Sequence, residues 1–488
     1  MTSIVNGKNI LVVGLARSGT SAANLLSVLG ARVSVTDRKP RSSLEDRIQM
    51  LLPAVTVLDY DEAGEHIDSH DLIVVSPGVP ASSPFMRKAA IKGIPVIGEL
   101  ELAYRIVMSH HPPPLFIGIT GTNGKSTTTT LVDLMLKEAG FHTILGGNIG
   151  NALTGELLNA MDSEQKAAGG MARGLKAGCI VAEISSFQLE TIEQFQPNIA
   201  VLLNITPDHL DRYDSMDEYT RAKARVFENQ TPEDYLIVNA DDPVIGELLA
   251  EMKPDRGGMP RVLSFSREKE VEGVYWRREK IFMNLPSPGL KKALMPSVPA
   301  HRELISAGEI RIRGDHNLEN AMAASVAALA AGCPPGAIAQ TLRSFSGLEH
   351  RLEFAGEYRG VKFINDSKGT NVGAVAKSLS GSGRIILIMG GLDKGGDYRV
   401  LRGLIQKNVK LLILIGQAKD AIYEALGDLK ETHRVDSLRD AVALSVKKAA
   451  PGDTVMLSPG CASFDMFVDF EDRGRQFKRA VKEIAGEQ

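Results

Sequence analysis

Residues 118–127 read Gly-Ile-Thr-Gly-Thr-Asn-Gly-Lys-Ser-Thr, and the rest of the chain is arranged around this stretch. The apolar run Leu115–Ile117 before it predicts a buried strand, and leucines at helical spacing follow it. A strand, a glycine loop, a Lys-Ser pair and a helix are the layout of a phosphate-binding loop. Glycines let backbone N–H groups converge on one anion at the positive end of the helix. We therefore predict that Lys125 reaches nucleotide phosphates and that Ser126 binds Mg²⁺.

One position departs from the strict G-x-x-x-x-G-K-[ST] pattern, because Ile119 stands where the first glycine belongs. The spacing that fits is G-x-x-G-x-x-G-K-S. An ordinary glycine-rich turn with a surface lysine is the alternative interpretation. The flanking strand and helix favour the nucleotide, because the binding mechanism requires both.

The composition is that of a soluble protein with several domains. Its 488 residues suggest about three domains, and 43% hydrophobic residues with a net charge of −3 are ordinary values. No basic excess indicates a nucleic-acid partner. We see neither a signal peptide nor an apolar stretch long enough to span a bilayer. The three cysteines are far apart, which suits a reducing cytoplasm and gives no metal-binding spacing.

The N-terminal part begins like a Rossmann βαβ unit. Residues 9–14 predict a buried strand, the turn 14–19 opens a helix, and a strand over 32–36 ends at Asp37. Asp37 therefore lies where a ribose-binding acid would lie. Because Ala16 replaces the middle glycine of the G-x-G-x-x-G fingerprint, the pattern is weak evidence for NAD and indicates a nucleotide-sized ligand.

A further strand over 72–75 ends in the turn Ser76-Pro77-Gly78. Ligands of open α/β sheets bind beyond the carboxyl ends of strands, so this turn is a candidate rim of a site. A plain tight turn is the alternative. The prolines at 112–114 favour an extended linker after the first domain.

Several polar residues follow predicted strands of the central part of the chain. Glu183 ends one strand, and Asn204 and then Asp208-His209 follow another. A helix-capping carboxylate and a structural histidine are the alternatives for Glu183 and His209. Because both residues accompany a phosphate loop, we favour a role for them in binding a metal or a phosphate. Residues 162–177, with two glycines and several charges, predict a solvent-exposed insertion.

Lys223 lies within an apolar stripe of the predicted helix 218–230. Tyr219, Val226 and Phe227 share its face at spacings of −4, +3 and +4. Burial disfavours a charged amine, so such a lysine is either paired or chemically special. A lysine that extends to water from the edge of the stripe is the alternative.

Two asparagines, Asn317 and Asn320, open a long alanine-rich helix and are neighbours in its first turn. They can hydrogen-bond a base or ribose, whereas N-capping would explain Asn317 alone. Strands over 385–389, 411–415 and 454–457 then alternate with helical stretches, which predicts a parallel α/β sheet. Lys394, between glycines after one of these strands, binds an anionic ligand or is a solvated loop lysine.

The chain resembles the Mur ligases, the ATP-dependent enzymes that add amino acids during peptidoglycan synthesis. The resemblance spans the whole chain and lies in the motifs TGTNGKST (120–127), EISSFQLE (183–190), NITPDHLDRY (204–213), DHN (315–317), HR (350–351) and NDSKGTN (365–371). Within the family, Gly-Lys-Ser, Ser-Pro-Gly (76–78) and SPGCASFD (458–465) are most similar to the members that use D-glutamate. The Asp-Asn-Pro-Arg motif of diaminopimelate-adding members is absent.

The resemblance implies an α/β protein of three domains. These are a Rossmann-like domain for the UDP-sugar substrate (1–111), a P-loop ATPase-like domain with a mostly parallel sheet (112–347) and a Rossmann-like amino-acid-binding domain (348–488). It implies ligation of D-glutamate to UDP-N-acetylmuramoyl-L-alanine through an acyl phosphate, with release of ADP and phosphate. The implied partners are these two substrates and ATP, and the implied enzyme is a cytoplasmic monomer.

The resemblance also implies roles for individual residues. ATP would contact Gly121, Thr122, Asn123, Gly124, Lys125, Ser126, Thr127, Asn317, Asn320, Arg351 and Asp366. One Mg²⁺ would bind Ser126 and Glu183, and a second would bind His209 and Lys223 as a carbamate, with Lys125, Glu183, His209 and Lys223 as the catalytic set. The UDP-sugar substrate would contact Arg17, Ser18, Asp37, Arg38, Ser76, Pro77, Gly78, Asn148 and His209. D-glutamate would contact Lys368, Thr370, Lys394, Ser463, Phe464 and Phe470.

Other functions remain open at this point. Arg38-Lys39 differs from the Thr-Arg that the family pattern leads us to expect after the acidic residue, so the residue that packs on uracil is open. The competing activities are another Mur-type ligase and a folylpolyglutamate synthase-like ligase that adds a different amino acid. A dehydrogenase, which leaves the phosphate loop unexplained, and a non-catalytic P-loop regulator are the competitors from other classes.

Overall fold

The computed structural model describes residues 4–80, 83–167, 177–208, 212–251, 258–285, 301–379, 384–393 and 396–486. The chain separates into two compact units, residues 1–345 and 346–488, here called the first and the second unit. Over the described residues, two β-sheets lie in the first unit and one lies in the second. None of the described helices has the length and hydropathy that a bilayer crossing needs.

The N-terminal elements alternate between strand and helix. In chain order they are β1 (Asn9–Val13), α1 (Arg17–Val28), β2 (Arg32–Thr36), α2 (Glu45–Gln49), β3 (Thr56–Val57), α3 (Tyr60–Glu65), β4 (Leu72–Val75), α4 (Pro84–Ile91), β5 (Val96–Gly98) and α5 (Glu99–Met108). The strands pair in parallel in the order β3-β2-β1-β4-β5. Val13 lies between Thr36 and Val75, so the carboxyl ends of β1, β2 and β4 meet at one edge.

The second sheet contains the strand that leads into the glycine loop. Its strands are β6 (Leu115–Thr120), β7 (Thr143–Gly147), β8 (Cys179–Glu183), β9 (Ile199–Leu202), β10 (Tyr235–Asn239), β11 (Arg261–Ser266), β12 (Gly273–Arg277), β13 (Lys280–Asn284) and β14 (His301–Ser306). Its helices are α6 (Lys125–Glu138), α7 (Leu153–Ala167), α8 (Ser186–Leu189), α9 (Met216–Ala224), α10 (Pro243–Glu251), α11 (Asp315–Ala330) and α12 (Pro335–Ser344).

Strand β6 lies between β9 and β8, within the order β14-β13-β12-β11-β10-β9-β6-β8-β7. The pairs from β7 to β12 are parallel, and β13 and β14 are antiparallel. Ile119 pairs with Glu183, and Thr120 pairs with Leu202. The glycine loop, Glu183 and the segment after β9 therefore leave the sheet at the same edge, as parallel strands require.

One sequence prediction for the first unit needs correction, and another falls partly on residues that the structure does not describe. The predicted insertion 162–177 begins inside a helix, because α7 continues to Ala167 while Leu157 and Met161 extend its buried apolar stripe. Residues 168–176 lie outside the described ranges. The predicted helix 218–230 is shorter, since α9 ends at Ala224 and a 3-10 turn over Arg225–Phe227 follows it.

The second unit is built on a third sheet. Its strands are β15 (Glu353–Tyr358), β16 (Val361–Asn365), β17 (Ile385–Gly390), β18 (Val409–Ile415), β19 (Glu431–Arg434) and β20 (Thr454–Leu457), and its helices are α13 (Val372–Ser378), α14 (Arg402–Asn408), α15 (Lys419–Leu426), α16 (Leu438–Lys448) and α17 (Phe470–Gly486). In the order β15-β16-β20-β17-β18-β19, only the β15–β16 pair is antiparallel over the described residues. The predicted α/β class and the three predicted strands of this unit are confirmed.

Candidate active site

The glycine loop passes from β6 to α6 through two backbone conformations that favour glycine. Gly121 has a φ of +147° and Gly124 a φ of +84°. A Cβ at Gly121 would lie 2.8 Å from Leu203 Cβ, and a Cβ at Gly124 would lie 2.1 Å from Asn320 Oδ1. Gly124 is the N-cap residue of α6, so no side chain caps the positive end of this helix, where an anion is stabilised. The loop therefore has the local geometry of a phosphate site.

The ammonium of Lys125 folds back over this loop. Its Nζ donates to the carbonyl oxygens of Gly121 at 2.8 Å and Thr122 at 2.9 Å. Asn204, after β9, holds the loop by a reciprocal pair, since its Oδ1 accepts from Asn123 N at 2.8 Å and its Nδ2 donates to Asn123 O at 3.1 Å. Asn204 follows a predicted strand, but no sequence signal pointed to this pairing.

Lys223 of α9 is 2% exposed, so the prediction that it points inward is confirmed and the water-exposed alternative is wrong. Its Nζ donates to Gly121 O at 3.0 Å and lies 4.6 Å from the centre of the Tyr219 ring. Burial, and then the charge of Lys125, lower the pKa of Lys223 to about 6, while Asp208 acts in the opposite direction. The neutral amine is therefore the main form at neutral pH.

Glu183 presents one carboxylate oxygen that is free to bind a cation. Its Oε1 accepts from Asn148 Nδ2 at 2.7 Å. Among the described residues, its Oε2 is buried and has no hydrogen-bond partner. The alternative that Glu183 caps a helix is wrong, because Ser185 is the N-cap residue of α8. A buried carboxylate oxygen with an open coordination position fits Mg²⁺, which prefers oxygen ligands.

The first turn of α11 packs against the phosphate loop. Asn320 is 5% exposed and its Oδ1 accepts from Thr128 Oγ1 at 3.4 Å, while Asn317 Nδ2 donates to Arg313 O at 2.8 Å. Asn317 is not an N-cap, because α11 begins at Asp315. The two asparagines lie 3.4 Å apart, from Asn320 Nδ2 to Asn317 Oδ1, beside the loop that would hold the phosphates.

Side chains that were predicted to contact the UDP-sugar substrate join the carboxyl ends of β1, β2 and β4. Ser76 Oγ donates to Gly14 O at 2.7 Å, and Asp37 Oδ2 accepts from Leu15 N at 2.6 Å. Arg17 donates from Nη1 to a carbonyl oxygen in the turn after β7, which also carries Asn148. The remaining predicted contacts are the half-buried Ser18 and Pro77 and the exposed Arg38 and Gly78. Helices α1 and α7 pack together and bring this edge toward the second sheet.

In the second unit, Asp366 follows β16 and is held by two hydroxyl groups. Ser378 Oγ donates to its Oδ2 at 2.6 Å and Ser458 Oγ at 2.7 Å. Burial raises the pKa of Asp366, and these hydrogen bonds and the nearby Arg351 oppose that shift. Arg351 itself is half-buried.

The described residues among those predicted to hold D-glutamate follow β16 and β20. Lys368 Nζ lies 5.6 Å from the centre of the Phe470 ring, and Ser463 is 2% exposed. Thr370 is half-buried, and Phe464 is 69% exposed. Two predicted site residues, His209 and Lys394, lie outside the described ranges.

Arg473 of α17 is a residue that sequence reasoning missed, and it is 0% exposed. Its guanidinium donates to Ser367 Oγ and Ser367 O at 2.9 Å and to the carbonyl oxygens of Cys461 and Ala462 at 3.2 Å. It therefore joins the segment that carries Lys368 to the segment that carries Ser463. A sequence signal did exist, because Phe470, Arg473 and Phe477 fall on one helical face.

Three family models match consecutive parts of this chain. A model described as the N-terminal domain of MurD-like Mur ligases matches residues 8–98, a Mur ligase middle domain matches 119–328, and a Mur ligase glutamate ligase domain matches 350–461. Together they follow the order of the three sheets.

Relatives over nearly the whole length carry one name. The chain is 43% identical to a UDP-N-acetylmuramoylalanine–D-glutamate ligase of Geotalea uraniireducens, over 98% of each chain. It is 42% identical to a ligase of the same name from Pelotomaculum thermopropionicum, over 97% of each.

Solved structures share the fold at lower identity. UDP-N-acetylmuramate-alanine ligase from Thermotoga maritima has a TM-score of 0.56 at 17% identity, over 98% of this chain and 99% of that one. MurF from Acinetobacter baumannii has a TM-score of 0.57 at 17% identity, over 98% of this chain and 92% of that one.

Proposed function

This chain belongs to the Mur ligase family, and from that premise we propose that it joins D-glutamate to UDP-N-acetylmuramoyl-L-alanine using ATP. The observation that carries the proposal is the 43% identity, over 98% of the chain, to a ligase named for that reaction. The phosphate loop and the buried Lys223 supply the chemistry such a ligase needs. We further propose a cytoplasmic monomer with the three domains 1–111, 112–347 and 348–488.

In the proposed reaction, the substrate carboxylate attacks the γ-phosphate of ATP, and an acyl phosphate forms with release of ADP. The amine of D-glutamate then attacks the acyl carbon, and phosphate leaves from the tetrahedral intermediate. Several anionic groups approach one another in both steps. The amides of the glycine loop, the start of α6 and Lys125 offset their repulsion.

Two Mg²⁺ ions would supply further charge neutralisation when bound. We assign Ser126 and Glu183 to one ion and His209 and Lys223 to the other. Asn148 supports the first assignment, because its hydrogen bond to Glu183 Oε1 leaves Oε2 for the cation.

Lys223 becomes a metal ligand in this proposal by reaction with CO₂. The lone pair of its neutral amine forms a bond to the carbon of CO₂, one proton leaves the nitrogen, and a carbamate with one negative charge results. The lowered pKa of Lys223 supports this step, because an ammonium has no lone pair to donate.

The remaining proposed contacts divide among three ligands. We assign ATP to the glycine loop 121–127 with Asn317, Asn320, Arg351 and Asp366, the UDP-sugar to Arg17, Ser18, Asp37, Arg38, Ser76, Pro77, Gly78, Asn148 and His209, and D-glutamate to Lys368, Thr370, Lys394, Ser463, Phe464 and Phe470. The convergence of β1, β2 and β4 at one edge supports the second group.

Phosphate release with UDP-N-acetylmuramoyl-L-alanine, ATP, Mg²⁺ and a panel of amino acids tests this function. We expect release that depends on D-glutamate and on no other member of the panel. The Lys125→Ala variant is the control, and it should keep its fold and lose phosphate release because Lys125 faces the loop and not the core. Release with a different amino acid alone would contradict the proposed substrate.

A further inference from the structure

Two loops of the second unit lie side by side at the carboxyl edge of the third sheet. Leu392, after β17, and Ala462, after β20, exchange backbone hydrogen bonds of 3.0 and 3.1 Å. A Cβ at Gly391 would lie 2.2 Å from Ala462 O, so only glycine allows this approach. The two loops therefore form one structural element, although about 70 residues separate them in the chain.

A buried tyrosine hydroxyl joins the side chains of the same two loops. Tyr398, which is 5% exposed, places Oη 2.8 Å from Asp393 Oδ1 and 3.2 Å from Cys461 Sγ. Cys461 is 0% exposed. Burial raises the pKa of the Tyr398 phenol, and the two neighbours raise it further, so the hydroxyl keeps its proton.

The direction of these hydrogen bonds follows from the three groups. An ionised carboxylate can accept and cannot donate, so Tyr398 donates its proton to Asp393. Tyr398 Oη is then left as an acceptor, and the thiol of Cys461 donates to it. Burial raises the pKa of that thiol, so it carries the proton that this arrangement needs.

We propose that Tyr398 is a positioning residue for D-glutamate, because its hydroxyl fixes the Asp393 loop against the loop that carries Ser463. This inference rests on the proposed function, which assigns Ser463 to D-glutamate. Arg473 holds the carbonyl oxygen of Cys461, and Tyr398 holds its side chain. Both contacts hold the backbone just before Ser463, and loss of the Tyr398 hydroxyl would remove the contact that also reaches Asp393.

The test is Tyr398→Phe in the full-length protein, with KM and kcat measured for all three substrates by phosphate release. We expect the KM for D-glutamate to rise about tenfold, the size of a lost hydrogen bond to a charged group. The KM values for ATP and for UDP-N-acetylmuramoyl-L-alanine should stay within about twofold. Tyr423→Phe is the matched control, since Tyr423 belongs to the same unit, is 40% exposed and should leave every constant unchanged.

A double-mutant cycle separates positioning from general loss of packing. Asp393→Ala should reproduce the effect of Tyr398→Phe, and the double variant should add little, because both remove the same hydrogen bond. Cys461→Ser keeps a donor to Tyr398 and should stay near the wild type, whereas Cys461→Ala should resemble Tyr398→Phe in part.

Three results would overturn the inference: equal increases in all three KM values, a fall in kcat with an unchanged D-glutamate KM, or additive effects of Tyr398→Phe and Asp393→Ala. Failure of the proposed function is visible earlier, in the wild-type protein. If the wild type releases phosphate with another amino acid, the same variants are compared with that amino acid, and the same outcomes decide.

Discussion

Lys223 in the first unit and Arg473 in the second are both buried basic side chains, with 2% and 0% of their surfaces exposed. The guanidinium of Arg473 reaches four oxygen atoms, on Ser367, Cys461 and Ala462. Lys223 donates to the single carbonyl oxygen of Gly121. The two sites therefore differ in how far the protein replaces the hydrogen bonds that each cation loses with its water.

Their pKa values follow this difference. Burial lowers the pKa of Arg473 to about 10, which leaves the guanidinium charged at neutral pH. Burial and Lys125 lower the pKa of Lys223 to about 6, which leaves the amine mainly neutral. A cation surrounded by acceptors stays an ion and holds loops together, whereas a buried amine with few acceptors becomes a nucleophile. We expect Arg473 to matter most for stability and Lys223 for chemistry.

The largest expected effect is on activity at Lys223. Lys223→Ala removes the proposed carbamate and should lower kcat by about 1,000-fold, as loss of a charged group in a reaction centre does. Short carboxylic acids such as acetate should restore part of the rate, because a diffusible carboxylate can fill the vacated space. Lys223→Arg should not be rescued, since its guanidinium stays charged and occupies the site.

Phosphate release with and without added acetate measures this prediction. A mild loss in Lys223→Ala, with no rescue, would contradict the carbamate. So would electron density that ends at Nζ in a well-ordered structure with metal and CO₂ present.

The second effect is on stability at Arg473. Arg473→Met leaves the buried carbonyl oxygens of Ser367 and Cys461 without the guanidinium that donates to them and should lower the free energy of unfolding by about 3 kcal/mol. Lys223→Met is the matched substitution in the first unit, and at pH 7 it should not lower stability, because the wild type gives up the Lys223 proton on folding and methionine carries none. Urea unfolding of both variants makes the comparison. Equal losses at the two positions would break the distinction between them.

Sequence reasoning predicted Lys223 well and Arg473 not at all, for a physical reason. Tyr219, Val226 and Phe227 mark an apolar face, and a lysine within it stands out. The helical face that Arg473 shares with Phe470 and Phe477 indicated burial, but its partners are the Ser367 hydroxyl and three backbone carbonyls of distant loops, which a pattern along one helix does not reveal. The pairing of Asn204 with Asn123 was missed for the same reason, because the Asn204 side chain bonds to the backbone of a distant loop.

The glycine loop and the strands around it were predictable because their signals are local. The positive φ angles at positions 121 and 124 favour glycine, and burial in a parallel sheet favours the apolar runs before them. The glycines and charges over 162–177 predicted an exposed insertion, but they did not show that α7 continues into this stretch, to Ala167.

The third effect is a dependence of stability on pH. Lys223 has a folded pKa of about 6, below its usual 10.5, so between these values the unfolded chain binds a proton that the folded chain does not. Stability therefore rises with pH across this window, by up to about 1.4 kcal/mol per pH unit. Arg473 keeps its charge until about pH 10 and adds no slope below it.

The unfolding free energies of the wild type and Lys223→Met, in CO₂-free buffer, isolate this contribution. From pH 7 to pH 9, the wild type should gain about 2.6 kcal/mol relative to the variant. A constant difference would mean that Lys223 keeps an ordinary pKa in the folded protein. The distinction between a neutral Lys223 and a charged Arg473 would then be wrong.

The smallest expected effect is on D-glutamate binding by the hydroxyl of Ser463, which follows Cys461 and Ala462 in the chain. If Arg473 holds the backbone through Cys461 and Ala462, the next residue, Ser463, is free to bind substrate without a role in stability. Ser463→Ala should raise the KM for D-glutamate about fivefold, the size of one neutral hydrogen bond, and leave the melting temperature unchanged. Ser445→Ala is the control, because it also removes a buried serine hydroxyl of the second unit. Ser445 is 0% exposed, and its Oγ donates to Ala441 O at 2.7 Å within α16. A rise in the KM for ATP with an unchanged KM for D-glutamate would show that Ser463 does not bind D-glutamate. Arg473 would then hold a loop with no part in amino-acid binding.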